Sequence, residues 1–266
     1  MNFQKAFDIN KETWNKKVAV HAASEFYDVE AFLKGKCSLN EYEVAALGDV
    51  SGASLLHLQC HFGQDSLSWA RRGAQVTGVD ISEKAIEFAQ QLNESLSLNA
   101  NFVCCNVLDT SQFVSEIFDV VFTSYGVIGW LPDLQPWARM IAERLRPGGV
   151  FYMIEFHPIA WMFDYTQSPP IMRYGYHQKD VIYEEYQGTY ANMEAPILSK
   201  EYSWNHALGE VVSALTGAGL RIDSLHEHDA SPYAIFPKLQ KNKDGMYELE
   251  NKLYPLVFEV HATKNN

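Results

Sequence analysis

Basic clusters are scarce in this 266-residue chain. Lys and Arg total 21 against 33 Asp and Glu, a formal net charge of −12, and no basic run exceeds the pairs Lys16-Lys17 and Arg71-Arg72. A surface that negative repels phosphate backbones and anionic headgroups, so we expect neither a nucleic-acid nor a membrane partner. No apolar run reaches the roughly 18 residues that would mark a bilayer span. The leading segment MNFQKAFDINKETWNKK is of mixed charge and has no apolar h-region, so it does not read as a signal peptide. The chain has four cysteines (Cys37, Cys60, Cys104 and Cys105) and no C-x-x-C pair. A chain this long buries a core without staples, so reduced thiols and a cytoplasmic setting are expected. Internal repeats and low-complexity tracts are also missing, as is a G-x-S-x-G nucleophile elbow.

What is present is an alternation of strand and helix patterns. Short apolar or β-branched runs stand at Ser54–Leu58, Gln75–Asp80, Asn101–Cys105, Phe118–Thr123 and Val150–Ile154. Helical stripes separate them, such as Ala85, Ala89, Leu92 and Leu96 after a capping Ser82. This predicts an α/β fold, a doubly wound and mostly parallel seven-stranded sheet. Leu220–Leu225 reads as the sixth strand. Leu256–Ala262, alternating at its end, reads as a seventh, antiparallel one. Residues 1–50 read as a helical segment, with Trp14, Val18, Ala22 and Phe26 on one stripe, and 51–156 as the core. Residues 157–205, rich in Tyr, Pro and Met, break the alternation and read as an inserted cap. Residues 206–266 return to the sheet.

Ligands of open α/β sheets bind beyond the carboxyl ends of the strands. The first such end is His57-Leu58-Gln59-Cys60-His61-Phe62-Gly63-Gln64-Asp65, where one glycine gives room in the turn and helix-terminal amides face the ligand. It is not G-x-G-x-x-G, which argues against a dinucleotide. The second end is Asp80, whose carboxylate suits a ribose diol; a plain helix-capping acid is the other reading. The third is Asn106-Val107, an amide and an apolar neighbour that suit adenine, or an ordinary turn. The fourth is Ser124-Tyr125-Gly126, at the floor of the reacting centre.

Residues 54–155 resemble the core of a class I S-adenosylmethionine-dependent methyltransferase, and LHLQCHFGQDSLSWARRGA is similar to a bacterial subgroup acting on small molecules. The matching pieces are Leu56–Gly63, VTGVDIS over Val76–Ser82, Asn106-Val107, FDVV from Phe118, and LRPGG over Leu145–Gly149. The family's first motif carries an acid where this chain has His57, and glycines where it has Gln59 and His61. The resemblance implies S-adenosyl-L-methionine as cofactor, a small-molecule methyl acceptor and in-line transfer. It implies cofactor contacts at Cys60, Gly63, Asp80, Ile81, Asn106, Val107 and Tyr125, with Trp14, His21 and Tyr27 covering the site from the N-terminal helix. Trp130, Tyr174, Trp204 and His206 are expected along the substrate.

Methyl transfer asks the protein mainly to orient and desolvate. An acceptor protonated at pH 7 also needs a base, and Glu155 and His157 stand just past the fifth strand. A strand-end acid and a His-Pro turn are the plainer readings. His226-Glu227-His228 puts two imidazoles on one strand face, but no third ligand is evident, so no metal is expected. Two other functions stay open at this point: a cofactor-binding protein without catalysis, and a nicotinamide-dependent oxidoreductase. The sequence leaves monomer or homodimer undecided.

Overall fold

The computed structural model describes residues 3–165, 167, 169–178 and 180–265. Three helices come first: α1 (Phe3–Ala22), α2 (Val29–Leu33) and α3 (Glu41–Leu47). The alternating core follows as β1 (Ser54–Leu58), α4 (Gln64–Arg71), β2 (Gln75–Asp80), α5 (Glu83–Ser95), β3 (Asn101–Cys104), α6 (Thr110–Phe113), β4 (Phe118–Ser124), α7 (Leu134–Arg144) and β5 (Leu145–Phe156). Two hairpins interrupt it, β6 (Phe163–Asp164) with β7 (Ile171–Met172), and β8 (Ile182–Gln187) with β9 (Leu198–Ser203). The chain then runs through α8 (Leu208–Gly217) and β10 (Leu220–His228). A small sheet of β11 (Ala230–Ser231), β12 (Gln240–Lys241) and β13 (Tyr247–Glu248) precedes β14 (Val257–Lys264).

The main sheet has seven strands in the order β3-β2-β1-β4-β5-β14-β10. Its first five are parallel, and β14 runs antiparallel between β5 and β10. The expected antiparallel final strand is therefore present, wedged between its neighbours. Strand periodicity sorts the core into two layers: Leu55 joins Trp69, Phe122 and Tyr152 on one face, while Leu56 and Leu58 join Val121, Trp137 and Met153 on the other. Each such fully buried side chain contributes about 1.5–3 kcal/mol. A third cluster, with Phe62, Leu67, Ile86 and Phe102, seats α5 against the sheet edge. Among the described residues, no helix is long and apolar enough to cross a membrane.

Several expected elements shift. The N-terminal stripe ends with α1 at Ala22, so Phe26 lies beyond the helix. β5 starts at Leu145 rather than Val150, because LRPGG bulges: Leu145 pairs with Phe118 and Val150 with Val120. The stretch between β10 and β14 builds a second covering segment that the sequence pattern does not announce. α1 docks on β9 through side chains that imitate a strand edge. Asn10 donates to the Tyr202 carbonyl and accepts its N–H, both at 2.8 Å, and Thr13 Oγ1 donates to the Lys200 carbonyl at 2.7 Å. Buried Lys17 forms an ion pair with Glu201 and lies 3.2 Å from the Tyr186 hydroxyl. These contacts fix the N-terminal helix and the cap hairpin together above the sheet.

Candidate functional site

The carboxyl ends of β1 to β5 open on a cavity of about 1150 Å³, roofed by α1, the β8–β9 hairpin and the segment around Tyr233. That is roomier than the roughly 300–1,000 Å³ of a single drug-sized ligand site. β1 and β4 are adjacent although far apart in sequence, so the winding reverses between them, the place where such sheets bind ligands.

Asp80 ends β2. One of its oxygens accepts the His61 N–H and the other the Ser82 N–H, each at 2.8 Å. Each oxygen keeps a further lone pair, and the residue lines the cavity. Burial pushes its carboxyl up to about 6, against those two backbone bonds, which pull it down. Ile81 stands beside it. At the next strand tip Asn106 and Val107 also line the cavity; Asn106 Oδ1 accepts the Leu108 N–H at 3.0 Å, leaving its amide N–H₂ uncommitted to that turn.

The β1 turn explains its residues locally. Gln59 and His61 hold φ of 53° and 51°, left-handed backbone that glycine adopts without strain. Their side chains line the cavity, and Gln59 Nε2 donates to the Val127 carbonyl at 2.9 Å. Gly63 (φ 78°) also lines the wall, but its lack of a side chain is demanded by packing: a Cβ would come within 2.6 Å of the Phe102 ring. His57 is buried, with Nδ1 2.8 Å from Ser66 Oγ, and burial pushes its imidazole down to about 3, so it stays neutral. Cys60, Tyr125, Trp14 and Tyr27 line the cavity, Tyr27 from beyond the end of α1 rather than from the helix, as do Trp130, Tyr174, Trp204 and His206. Trp130 Nε1 donates to the Gly126 carbonyl at 2.6 Å, His206 Nε2 lies 2.7 Å from the Leu131 carbonyl, and the Tyr174 hydroxyl donates to Glu184 at 3.1 Å.

Three expectations need correction. His21 is fully buried behind the wall and reaches the cavity through His61, its Nδ1 lying 3.3 Å from His61 Nε2. Burial, helped by the Lys17 charge, pushes its imidazole down to about 3. His157 does not line the cavity: its Nε2 meets Glu227 at 2.8 Å and its Nδ1 accepts the Ile159 N–H at 3.2 Å, so both ring nitrogens are engaged. Glu155 reaches the wall, but its oxygens accept the N–H groups of Gly126, Val127, Ile128 and Phe156. A carboxylate so occupied positions the β4 loop and is poorly placed to take a proton. His228 stacks on Tyr42 and faces Glu259 at 3.4 Å; among the described residues no group of three or more His, Cys, Asp or Glu could hold a metal.

The sequence assigns no role to Lys17, Asp65, Tyr186, Tyr190 or Glu201, all on the cavity wall. The spacing of Trp14 and Lys17 on α1 is a partial signal; the hairpin residues carry none, since its docking on α1 is a long-range contact. Among the described residues, three buried polar atoms on the wall have no partner: Gln59 Oε1, His61 Nδ1 and Tyr125 Oη. Orphans of this kind mark places where a polar ligand completes the hydrogen bonding. With a carboxylate at one strand tip and an amide at the next, the donor set fits a nucleoside joined to an amino-acid chain.

Comparison with known proteins agrees with this geometry. Residues 56–153 match the family model described as a methyltransferase domain. Among curated relatives, the ubiquinone biosynthesis O-methyltransferase of Alkalilimnicola ehrlichii is 26% identical over 148 residues, 53% of this chain and 60% of that protein. The enzyme of the same name from Chromobacterium violaceum is 31% identical over 39% of this chain and 44% of its own length. The chain thus spans about 60% or less of these relatives. Among solved structures, the complex of DhpI with SAH superposes with a TM-score of 0.60 at 14% identity, covering 98% of both chains. An S-adenosylmethionine-dependent methyltransferase from Mesorhizobium loti gives 0.58 at 18% identity, over 87% of this chain and all of that one.

Proposed function

We propose, from a chain that carries a class I S-adenosylmethionine-dependent methyltransferase domain, that the protein transfers a methyl group from S-adenosyl-L-methionine to a small molecule held in the cavity. The observation that carries the reading is Asp80, a half-buried carboxylate at the tip of β2 with unfilled lone pairs on the cavity wall. In this reading Asp80 accepts from the ribose hydroxyls, while Asn106 and Val107 take the adenine edge and face. Gln59 presents its unpartnered amide oxygen to the amino-acid end.

The cofactor supplies an electrophilic methyl on its sulfonium. The chain's own residues orient the acceptor and exclude water: α1 and the β8–β9 hairpin, locked by Lys17 and Glu201, close the site from above. Glu155 holds the β4 loop at the floor. An aromatic-walled cavity under a net negative chain suits a small organic acceptor better than a polymer. The relatives favour neither of the two other functions left open above.

The test is turnover. The purified protein, S-adenosylmethionine and a panel of phenols, amines, thiols and carboxylates are incubated, and S-adenosylhomocysteine release is followed by mass spectrometry. Acceptor-dependent release supports the reading. Cofactor binding with no release across the panel supports a binding protein instead.

A further inference from the structure

Asp65, in the first turn of α4, lines the cavity but has no part in the cofactor reading. Its carboxylate accepts from Ser38 Oγ at 2.6 Å and from Ser124 Oγ at 3.3 Å. Ser124 ends β4, and β4 lies on the opposite side of β1 from β2. Asp65 and Asp80 therefore mark opposite flanks of one cavity. Asp80 serves the nucleoside flank, leaving the β4 flank for the acceptor.

The charge on that flank is unbalanced. Among the described residues three lysine or arginine side chains reach the cavity wall, and each already faces a carboxylate: Lys17 with Glu201, Lys36 with Asp28 at 3.0 Å and Arg173 with Asp164 at 3.7 Å. Among the described residues none pairs with Asp65; desolvation pushes its carboxyl up, while the hydrogen bonds from Ser38 and Ser124 pull it down. The α4 N-terminus offsets part of the charge. Glu43, buried nearby, is pushed up to about 8, mainly by burial with Asp65 as a lesser cause, and so is largely protonated at pH 7. A desolvated carboxylate without a cation is costly, and a bound cation relieves that cost.

The surrounding rings suit the same occupant. Tyr27, Tyr125 and Tyr233 line the wall close enough to Asp65 that its charge adds to the effect of burial in pushing all three phenols up. Tyr125 and Tyr233 meet edge to face with centroids 5.0 Å apart, and Phe26 approaches Tyr233 at 5.5 Å. Among the described residues, Tyr125 Oη is buried and has no partner. Electron-rich ring faces beside an unpaired carboxylate attract an organic ammonium group and repel an anion.

We propose that Asp65, Tyr27, Tyr125 and Tyr233 form an ammonium-binding subsite, so that the methyl acceptor is a small molecule carrying a positively charged amine. The proposal rests on the reading that the β2–β3 flank holds S-adenosylmethionine. A pair of equal-sized probes tests it: choline, and its neutral isostere 3,3-dimethylbutan-1-ol, each titrated by calorimetry into the whole protein loaded with S-adenosylhomocysteine. Choline should bind at least about tenfold more tightly, the preference a charge-selective aromatic site gives. Asp65→Asn should abolish that preference and leave S-adenosylhomocysteine affinity within about twofold. If Asp65→Asn does not fold, Tyr233→Leu serves, and should weaken choline but not the alcohol. Equal binding of the two probes by the unsubstituted protein overturns the proposal. So does an Asp65→Asn protein that loses S-adenosylhomocysteine affinity yet still prefers choline, because Asp65 would then belong to the cofactor's amino end. Failure of the protein to bind S-adenosylhomocysteine at all sinks the functional reading instead, and the two probes titrated into the unloaded protein then decide the subsite alone.

Discussion

Glu155, at the end of β5, accepts the backbone N–H of Val127 at 2.7 Å and, with its other contacts, gathers the turn that follows β4. The residue that looked like a base is thereby a clamp. Glu155→Gln places an N–H₂ against backbone donors and should destabilise the protein by about 1–3 kcal/mol, the cost of a frustrated buried hydrogen bond. Urea denaturation measures this. In a turnover assay the same variant should lower kcat without removing any step from the pH–rate profile. Loss of an acidic-side pKa from that profile would restore Glu155 as a base.

Gly63→Ala should destabilise through two effects. The position has φ 78°, and the new Cβ would sit 2.6 Å from the Phe102 ring. Left-handed strain plus overpacking of a filled site amounts to about 1–3 kcal/mol. Phe102→Leu in the same background should return part of the loss. An unperturbed midpoint in the single variant would mean that the helix start and Phe102 yield more easily than the packing implies.

Lys17 and Glu201 join α1 to the cap hairpin out of water. Removing one partner leaves a buried charge, so Lys17→Met should cost about 3–5 kcal/mol, and adding Glu201→Leu should recover most of it. Hydrogen exchange localises the effect: amides of β8, β9 and α1 should exchange faster in the single variant while β1 and β4 stay protected. Uniform acceleration across the sheet would show that the roof and the core unfold together.

Glu43 gives a pH dependence with a definite sign. Its carboxyl rises from 4.5 to about 8 on folding, mainly through burial. A raised folded-state value means that its contribution to stability is fully present below pH 4.5 and is lost as pH climbs through about 8. Glu43→Gln should therefore show a flatter decline of stability between pH 5 and pH 8 than the parent, as read from denaturation midpoints. Parallel curves for the two proteins would mean that this carboxyl ionises normally.

The strand–helix alternation was legible because each core strand is a short apolar run and each helix has its own stripe; Ser82 capping α5 and Asp80 ending β2 both stand where the sequence places them. His157 was misread because a side chain after a strand can turn either way, and only packing against β10 shows that it turns to Glu227. Asp65 looks like an ordinary first-turn acid in the sequence. Its interest arises from Ser38 and Ser124, which are far away along the chain. The roof was hidden for the same reason: Asn10 pairing with Tyr202 spans 192 positions, and no local pattern encodes such a contact.

The claim on which the account turns is that Asp80 holds the cofactor's ribose. Calorimetry with S-adenosylhomocysteine should show binding that Asp80→Ala weakens by about 1–3 kcal/mol, the worth of charged hydrogen bonds to a diol. Binding to the unsubstituted protein should also fall as pH drops below about 6, where the carboxyl gains its proton. Equal affinity in the two proteins, unchanged from pH 8 to pH 5, would contradict the account at its centre.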